Sequence, residues 1–550
     1  MFIRFFSRKI GFWVNRAKNS NPDKERETNQ IEAEIPDEEE PLPVADAALL
    51  EQLVRMKSIF SDCNDLVIRE FEAGGLKCAL CFIDGLVNMV TVQESVLRPM
   101  MEFGALEGAQ ALFLGGQIAD RVLNAGEVKK VSSAGEAADA CMEGDVLLFV
   151  EGSEDIIIIN ARGWEKRNVA EAQSEAVIRG PREGFTENFR TNTALLRRRI
   201  KTPMFKMKNM QIGRQTKTSV CIAYIDGIAA PEVVKKVEER LESIDIDSVM
   251  DSGYIEEYIE DSPFSIFPTI AYTEKPDVAA AKILEGRVAI IVDGSPFVLT
   301  APMLFIESFQ TAEDYYSRAI FSSITRLMRY LAYFITVFGP AVYIALVSFH
   351  QEFIPTTLLF SIAAAKEGTP FPAAAETLVM VFAFELLKEA GIRLPKAVGQ
   401  AISIVGALIM GEAAVSAGIV GAPLVITIAI MGVAGFAIPE QNEAISVMRI
   451  IAIAFAASLG GFGIAMCFLC MLIHISSLES FGVPYYASTS LSGEIQDSYV
   501  RYPLWAMVKR PKSIAQGNIT RRRFMIPPYK PDKKGAGEKI AEKLEERREE

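Results

Sequence analysis

The chain has 550 residues, half of them hydrophobic, and a formal net charge of −13. That length exceeds what one hydrophobic core serves, so two or more domains are expected. The acidic balance argues against nucleic acid as a partner, because phosphate binding needs clustered Lys and Arg.

Residues 1–18 (MFIRFFSRKIGFWVNRAK) place Phe2, Phe5, Phe6, Ile10 and Trp13 broadly on one helical face, with Arg4, Arg8, Lys9 and Arg16 around the rest. This suits a helix lying on an anionic leaflet; a disordered basic start is the plainer alternative. A signal peptide needs a longer apolar stretch and a small-residue cleavage site, and neither is present. Residues 19–45 are acidic and carry prolines, so they read as a linker.

From about 48 to 300 helix and strand patterns alternate, and they repeat. CALCFIDGLV (78–87) is echoed by VCIAYIDGIA (220–229), and GDVLLFVEGS (144–153) by GRVAIIVDGS (286–295). Asp84 to Asp226 and Gly144 to Gly286 are both steps of 142 residues. A shared offset predicts a duplicated α/β unit, with subdomains at 48–200 and 201–312. The acidic strand ends could serve catalysis or a metal, but Asp-Gly usually satisfies backbone donors in a turn. No phosphate loop, nucleophile elbow or His pair accompanies them, so neither an enzyme nor a cofactor is expected. Cys78 and Cys81 are three apart in a strand, hence on opposite faces, and the pair Cys467 and Cys470 lies in an apolar helix. Reduced packing thiols are the simplest account of both.

The connector 174–200 is dense in arginine, with Arg197, Arg198 and Arg199 consecutive. It could contact lipid phosphates or a neighbouring subunit's carboxylates, or form a solvated face.

After Arg318, Arg326 and Arg329 the chain turns apolar, and 313–483 is expected to be a helical transmembrane domain. Candidate spans are 330–349, 371–387, 397–419, 421–438 and 447–475, with 353–365 too short to cross comfortably. Basic clusters before the first span, after the last, and at Lys388, Arg393 and Lys396 should all lie inside. Four spans satisfy them if 353–365 and 421–438 turn back; six place the third cluster outside. Glu376, Glu385 and Glu412 sit among apolar residues, where carboxylates face a cavity, a partner or a pore, or else cap helices and snorkel. Glu376 and Glu385 are nine positions apart and fall on opposite helix faces. Glu412 lies deeper in its segment and is the stronger pore candidate. Residues 484–550 form a basic region ending in a charged tail.

The chain resembles the A-subunit family of spore germinant receptors (the GerA type) from about 60 to 525. The resemblance rests on VIRGPREGFTENFRTNTALLRRRI, SPFSIFPT followed by TEKPD, LEGRVAIIVDGSPFVLTAP, FHQEFIPTTLLFSIAAAKEGTPFP, FELLKEAGIRLPKAVGQAISIVGALIMG, and the strip ending at Pro439. Lys366 and Lys388 stand where that family commonly has Arg, Val381 where it often has Glu, and Glu412 where Gln is usual. The resemblance implies a multi-pass protein of the spore inner membrane, with both terminal regions on the core side. It also implies a transporter-like B-subunit and a lipoprotein C-subunit as partners. Copies of the chain would form a ring, a pentamer in the family, around a cation path opened by nutrient. An accessory sporulation paralogue and a secondary transporter are the competing readings; the transporter lacks the internal membrane repeat such folds commonly show.

Overall fold

The computed structural model describes residues 48–393, 411–486 and 497–521, apart from 74, 105–122, 124–126, 164–170, 173, 176, 512 and 516–517. The amphipathic start, the acidic linker, most of the expected span 397–419 and the charged tail lie outside the described residues.

The first module comprises α1 (Ala48–Ile59), β1 (Leu66–Ala73), β2 (Leu76–Ile83), α2 (helical over 89–104), β3 (Val128–Val131), α3 (Ala134–Glu143), β4 (Val146–Val150) and β5 (Ile156–Ile159). The second comprises α4 (Phe189–Arg199), β6 (Phe205–Ile212), β7 (Thr218–Ile225), α5 (Pro231–Glu242), α6 (Ser252–Ile259), β8 (Ala271–Thr273), α7 (Pro276–Leu284), β9 (Val288–Val292) and β10 (Val298–Ala301). Each builds a five-stranded antiparallel sheet, in the orders β1-β2-β4-β5-β3 and β6-β7-β9-β10-β8. Register follows the 142-residue step: Cys78 faces Val150 as Val220 faces Val292. Gly144 and Gly286, one step apart, both adopt positive φ (96° and 104°), a turn conformation that an L side chain would strain.

Helices cover both faces of each sheet. Alternating side chains of β2 divide between two cores, so Cys78 packs with α2 and Cys81 with α1 and α3. The arginine-rich helix α4 buries Phe189, Leu195 and Leu196 against Cys221, Ala223 and Ile291 of the second sheet. The second packing unit therefore begins near residue 188, upstream of the break expected at 200. The modules meet where β6 passes residues 62–64, with the Asn64 amide donating to the Met207 carbonyl (3.0 Å).

The helical half holds α8 (Glu313–Tyr316), α9 (Ala319–Ser348), α10 (Thr356–Lys366), α11 (Ala373–Arg393), α12 (Ala422–Gly435) and α13 (Asn442–Ser477). By length and composition, two stretches among the described residues could cross a membrane, Ala319–Ser348 and Pro439–Ser477. The second is not a straight rod. At Gly460 the backbone takes φ 59° and ψ −135°, outside helical space. Beyond it the chain doubles back, since a Cβ on Gly463 would run into the Phe455 carbonyl oxygen. Contacts along α9 trace the hairpin. Arg449 meets Thr336 on the way out, Gly460 lies against Phe349 at the tip, and Phe468 and Met471 return past Phe338 and Tyr333. The arms 442–459 and 461–477 are each about 26 Å long at 1.5 Å per residue. The single span expected over 447–475 is thus two antiparallel arms.

Candidate functional site

The short helix α8 is the joint between the α/β modules and α9, and its four residues reach four different places. The Glu313 carboxylate accepts the backbone amides of Ile178 and Arg179 (3.4 Å for the latter) from the connector. Asp314 accepts from Arg326 (3.1 Å) and Arg329 (2.9 Å), about two and three turns into α9. Tyr315 donates to Asp497 (2.9 Å) of the C-terminal region, and Tyr316 donates to Asp277 (2.6 Å) at the start of α7. Arg326 is fully buried and its guanidinium also donates to Asp497 (3.1 Å) and the Ser498 carbonyl (3.2 Å). Burial pushes the Asp497 carboxyl up to about 6, although Arg326 pulls it down. Charge-assisted bonds of this kind are strong and directional, so they brace the modules against the root of α9.

The basic residues singled out from sequence therefore divide. Arg197 is fully buried, donates twice to Asp65 (2.8 Å each) and once to the Phe205 carbonyl (2.8 Å), and lies over the Phe205 ring. It locks the two modules together and is closed to lipid or a neighbouring subunit. Arg326 and, less completely, Arg329 are likewise turned inward. Arg198 and Arg199 are half-buried beside Glu183 (3.7 and 2.8 Å), and Arg318 is exposed at the start of α9. Pattern alone misplaced Arg197 because its partner Asp65 is 132 residues away.

Within the helical half, Glu376 and Glu385 project from opposite sides of α11, as their spacing required. Glu376 is fully buried; it accepts from Thr369 (2.8 Å), and Lys366 lies at 4.0 Å. Glu385 sits in mid-helix, because α11 runs on to Arg393, past the end of the span expected over 371–387. It accepts from Arg449 (2.5 Å) and Ser446 (3.2 Å), and Lys388 stands at 3.6 Å. Arg449, on the outgoing arm of α13, was missed by sequence reasoning. Its side chain is 3% exposed and also donates to the Thr336 carbonyl (3.0 Å). A lone cation within VMRIIAIAF was the available signal, since buried charges come paired. Glu412 is exposed and has no ion-pair partner among the described residues. No group of three or more His, Cys, Asp or Glu able to hold a metal occurs among the described residues.

Fold and junction together define a protein with paired antiparallel α/β modules built onto a bundle of apolar helices and braced there by buried ion pairs. The chain belongs to the GerA family: the model of the Bacillus/Clostridium GerA spore germination proteins matches residues 54–513. Spore germination protein KA of Bacillus subtilis is 43% identical over 482 residues, covering 86% of this chain and 88% of that protein. Membrane protein YfkQ of the same organism is 42% identical over 475 residues (86% and 92%). Spore germination protein GerLA of Bacillus cereus is 37% identical over 481 residues (86% and 97%). The crystal structure of the N-terminal domain of the A subunit of the Bacillus megaterium germinant receptor GerK3 aligns with 35% identity and a TM-score of 0.37. It covers 48% of this chain and 99% of that one.

Proposed function

We propose that this chain is the A-subunit of a spore nutrient germinant receptor, crossing the spore inner membrane several times and forming or gating a cation path with further copies of itself. In this reading nutrient is sensed by a transporter-like B-subunit, a lipoprotein C-subunit completes the complex, and the chain works without catalysis or a cofactor. In this reading α9 and 442–459 run outward and α11 and 461–477 return, which leaves the basic clusters around Arg318, Lys388 and Arg510 on one side, the core side.

The observation that carries the proposal is the state of the carboxylates in the helical half. Lys366 stands beside Glu376, and Arg449 and Lys388 offset Glu385, while Glu412 faces outward unpaired among the described residues. An exposed carboxylate in hydrocarbon is costly unless a water-filled path or another subunit receives it. A ring of such groups attracts cations. The joint at Glu313–Tyr316 supplies the mechanical link from modules to helices. The test is cation release from spores carrying Glu412→Gln or Glu412→Lys at matched protein abundance. A path lined by Glu412 predicts slower release for the neutral variant and loss for the lysine; unchanged kinetics and ion preference in both would remove it from the path.

A further inference from the structure

Among the described residues, the two most exposed large apolar side chains are Phe264 (102%) and Ile178 (92%). Scattered surface apolar residues are ordinary, so exposure alone means little. Their placement is not ordinary, because each loop is tied to the root of an apolar helix. In the 262–267 loop the Ser265 hydroxyl bonds the His474 Nε2 (3.0 Å) at the end of the returning arm of α13, and the Phe267 amide donates to that hydroxyl (3.1 Å). Phe267 itself is buried in the helical core with Tyr333 and Val337. The loop is thus pinned immediately after Phe264, whose own side chain is fully exposed. At the other site Glu313, six residues before α9, holds the Ile178 and Arg179 amides, and the Tyr316 ring packs over Gly180. Arg179 and Arg182 are exposed beside Ile178, Arg182 also meeting the exposed Glu171 (3.4 Å). Both loops stand at the same end of the helical bundle, where α9 leaves the α/β modules and α13 returns to them.

We propose that these two loops are bilayer anchors: Phe264 and Ile178 insert at the headgroup–acyl boundary of the leaflet from which the helices emerge, and Arg179 and Arg182 meet anionic lipid phosphates beside Ile178. The inference rests on the reading of α9 and α13 as membrane helices. Aromatic and branched apolar side chains gain from that boundary, and cations gain from an anionic leaflet. Rigid tethering to the helix roots removes the ordering cost that a free loop would bear. The leaflet is favoured over a protein partner as the occupant because the helix at each tether itself carries exposed apolar side chains beside that root, Ile320, Phe321 and Ile324 on α9 and Ile473 and Leu469 on α13.

The experiment uses the full chain reconstituted in phosphatidylcholine vesicles with and without phosphatidylglycerol. Phe264→Trp and Ile178→Trp are each read as a difference from the parent chain, with brominated lipid and aqueous iodide as quenchers. Ile450→Trp, on the exposed face of α13, reports whether the helices are in the bilayer. The anchors predict loss of the added emission to brominated lipid and protection from iodide at both loops. Without phosphatidylglycerol, or with Arg179→Gln and Arg182→Gln, the Ile178 site should become open to iodide while the Phe264 site does not change. Quenching by iodide at both loops, with Ile450→Trp quenched by brominated lipid, would overturn the anchors and leave the membrane reading intact. Protection from both quenchers would assign the loops to a protein contact and overturn the lipid proposal. Failure of Ile450→Trp to respond to brominated lipid would remove the membrane reading and the anchors with it.

Discussion

Replacing Arg449 or Glu385 by methionine separates an ion pair between buried Arg449 and half-buried Glu385 that joins α13 to α11. Removing one partner of such a pair costs about 3–5 kcal/mol, because the survivor is left charged without compensation. The two sides are not equivalent here. After Arg449→Met, Glu385 retains Lys388 at 3.6 Å and the Ser446 hydroxyl, which places the loss at the lower end. After Glu385→Met, the 3%-exposed guanidinium retains, among the described residues, only the Thr336 carbonyl, which places the loss at the upper end. The double variant strands neither charge and should recover at least about 2 kcal/mol of the summed losses. Thermal unfolding of the purified full chain, with protein abundance in spore membranes as a second readout, closes the double-mutant cycle. Additive losses, or Arg449→Met proving the worse single change, would refute the pairing.

Arg197→Met should destabilise by about 3–5 kcal/mol by leaving buried Asp65 unpaired, whereas Arg198→Met should cost no more than about 1 kcal/mol; chemical denaturation of both variants checks the contrast. Gly460→Ala puts a Cβ 2.7 Å from the Phe349 ring at φ 59°, adding about 1–3 kcal/mol of backbone strain before any clash, and should lower abundance where Leu459→Ala does not. Cysteines placed at Glu443 and Ser477, in a chain with Cys467 and Cys470 replaced by alanine, should label from the same membrane face; labelling from opposite faces would mean one straight span. Burial, with Glu260, Glu443 and Asp251 adding to it, pushes Glu256 up to about 7. The folded protein holds that proton to higher pH than the unfolded chain, so the associated stability is full in the ordinary carboxylate range and is lost as pH rises through about 7. The melting temperature should fall between about pH 5 and 8, and Glu256→Gln should flatten that fall.

The modules were legible because their pattern is local: short apolar runs ending in Asp-Gly or acidic-Gly-Ser, repeated at one offset, fix where strands stop. Strand order was not, since adjacency in an antiparallel sheet depends on pairings between distant segments. The opposite faces of Glu376 and Glu385 followed from helical geometry, but the cations beside them did not: Arg449 is 64 residues from Glu385. The hairpin in α13 escaped notice because an apolar run carries no sign of direction; the adjacent Gly460 and Gly461 were its one cue. The arginines of α4 misled for a related reason. Composition gives the charge of a segment, and only the fold determines that Arg197 turns inward while Arg179 and Arg182, in the same connector, remain outside.

The decisive measurement is nutrient-triggered cation efflux from spores carrying this chain with its native partner genes, beside spores lacking only this chain. The account predicts that efflux is lost without the chain and restored when it is supplied again. Undiminished efflux in its absence would contradict a role as the ion-releasing subunit and assign the chain to an accessory task within the same family.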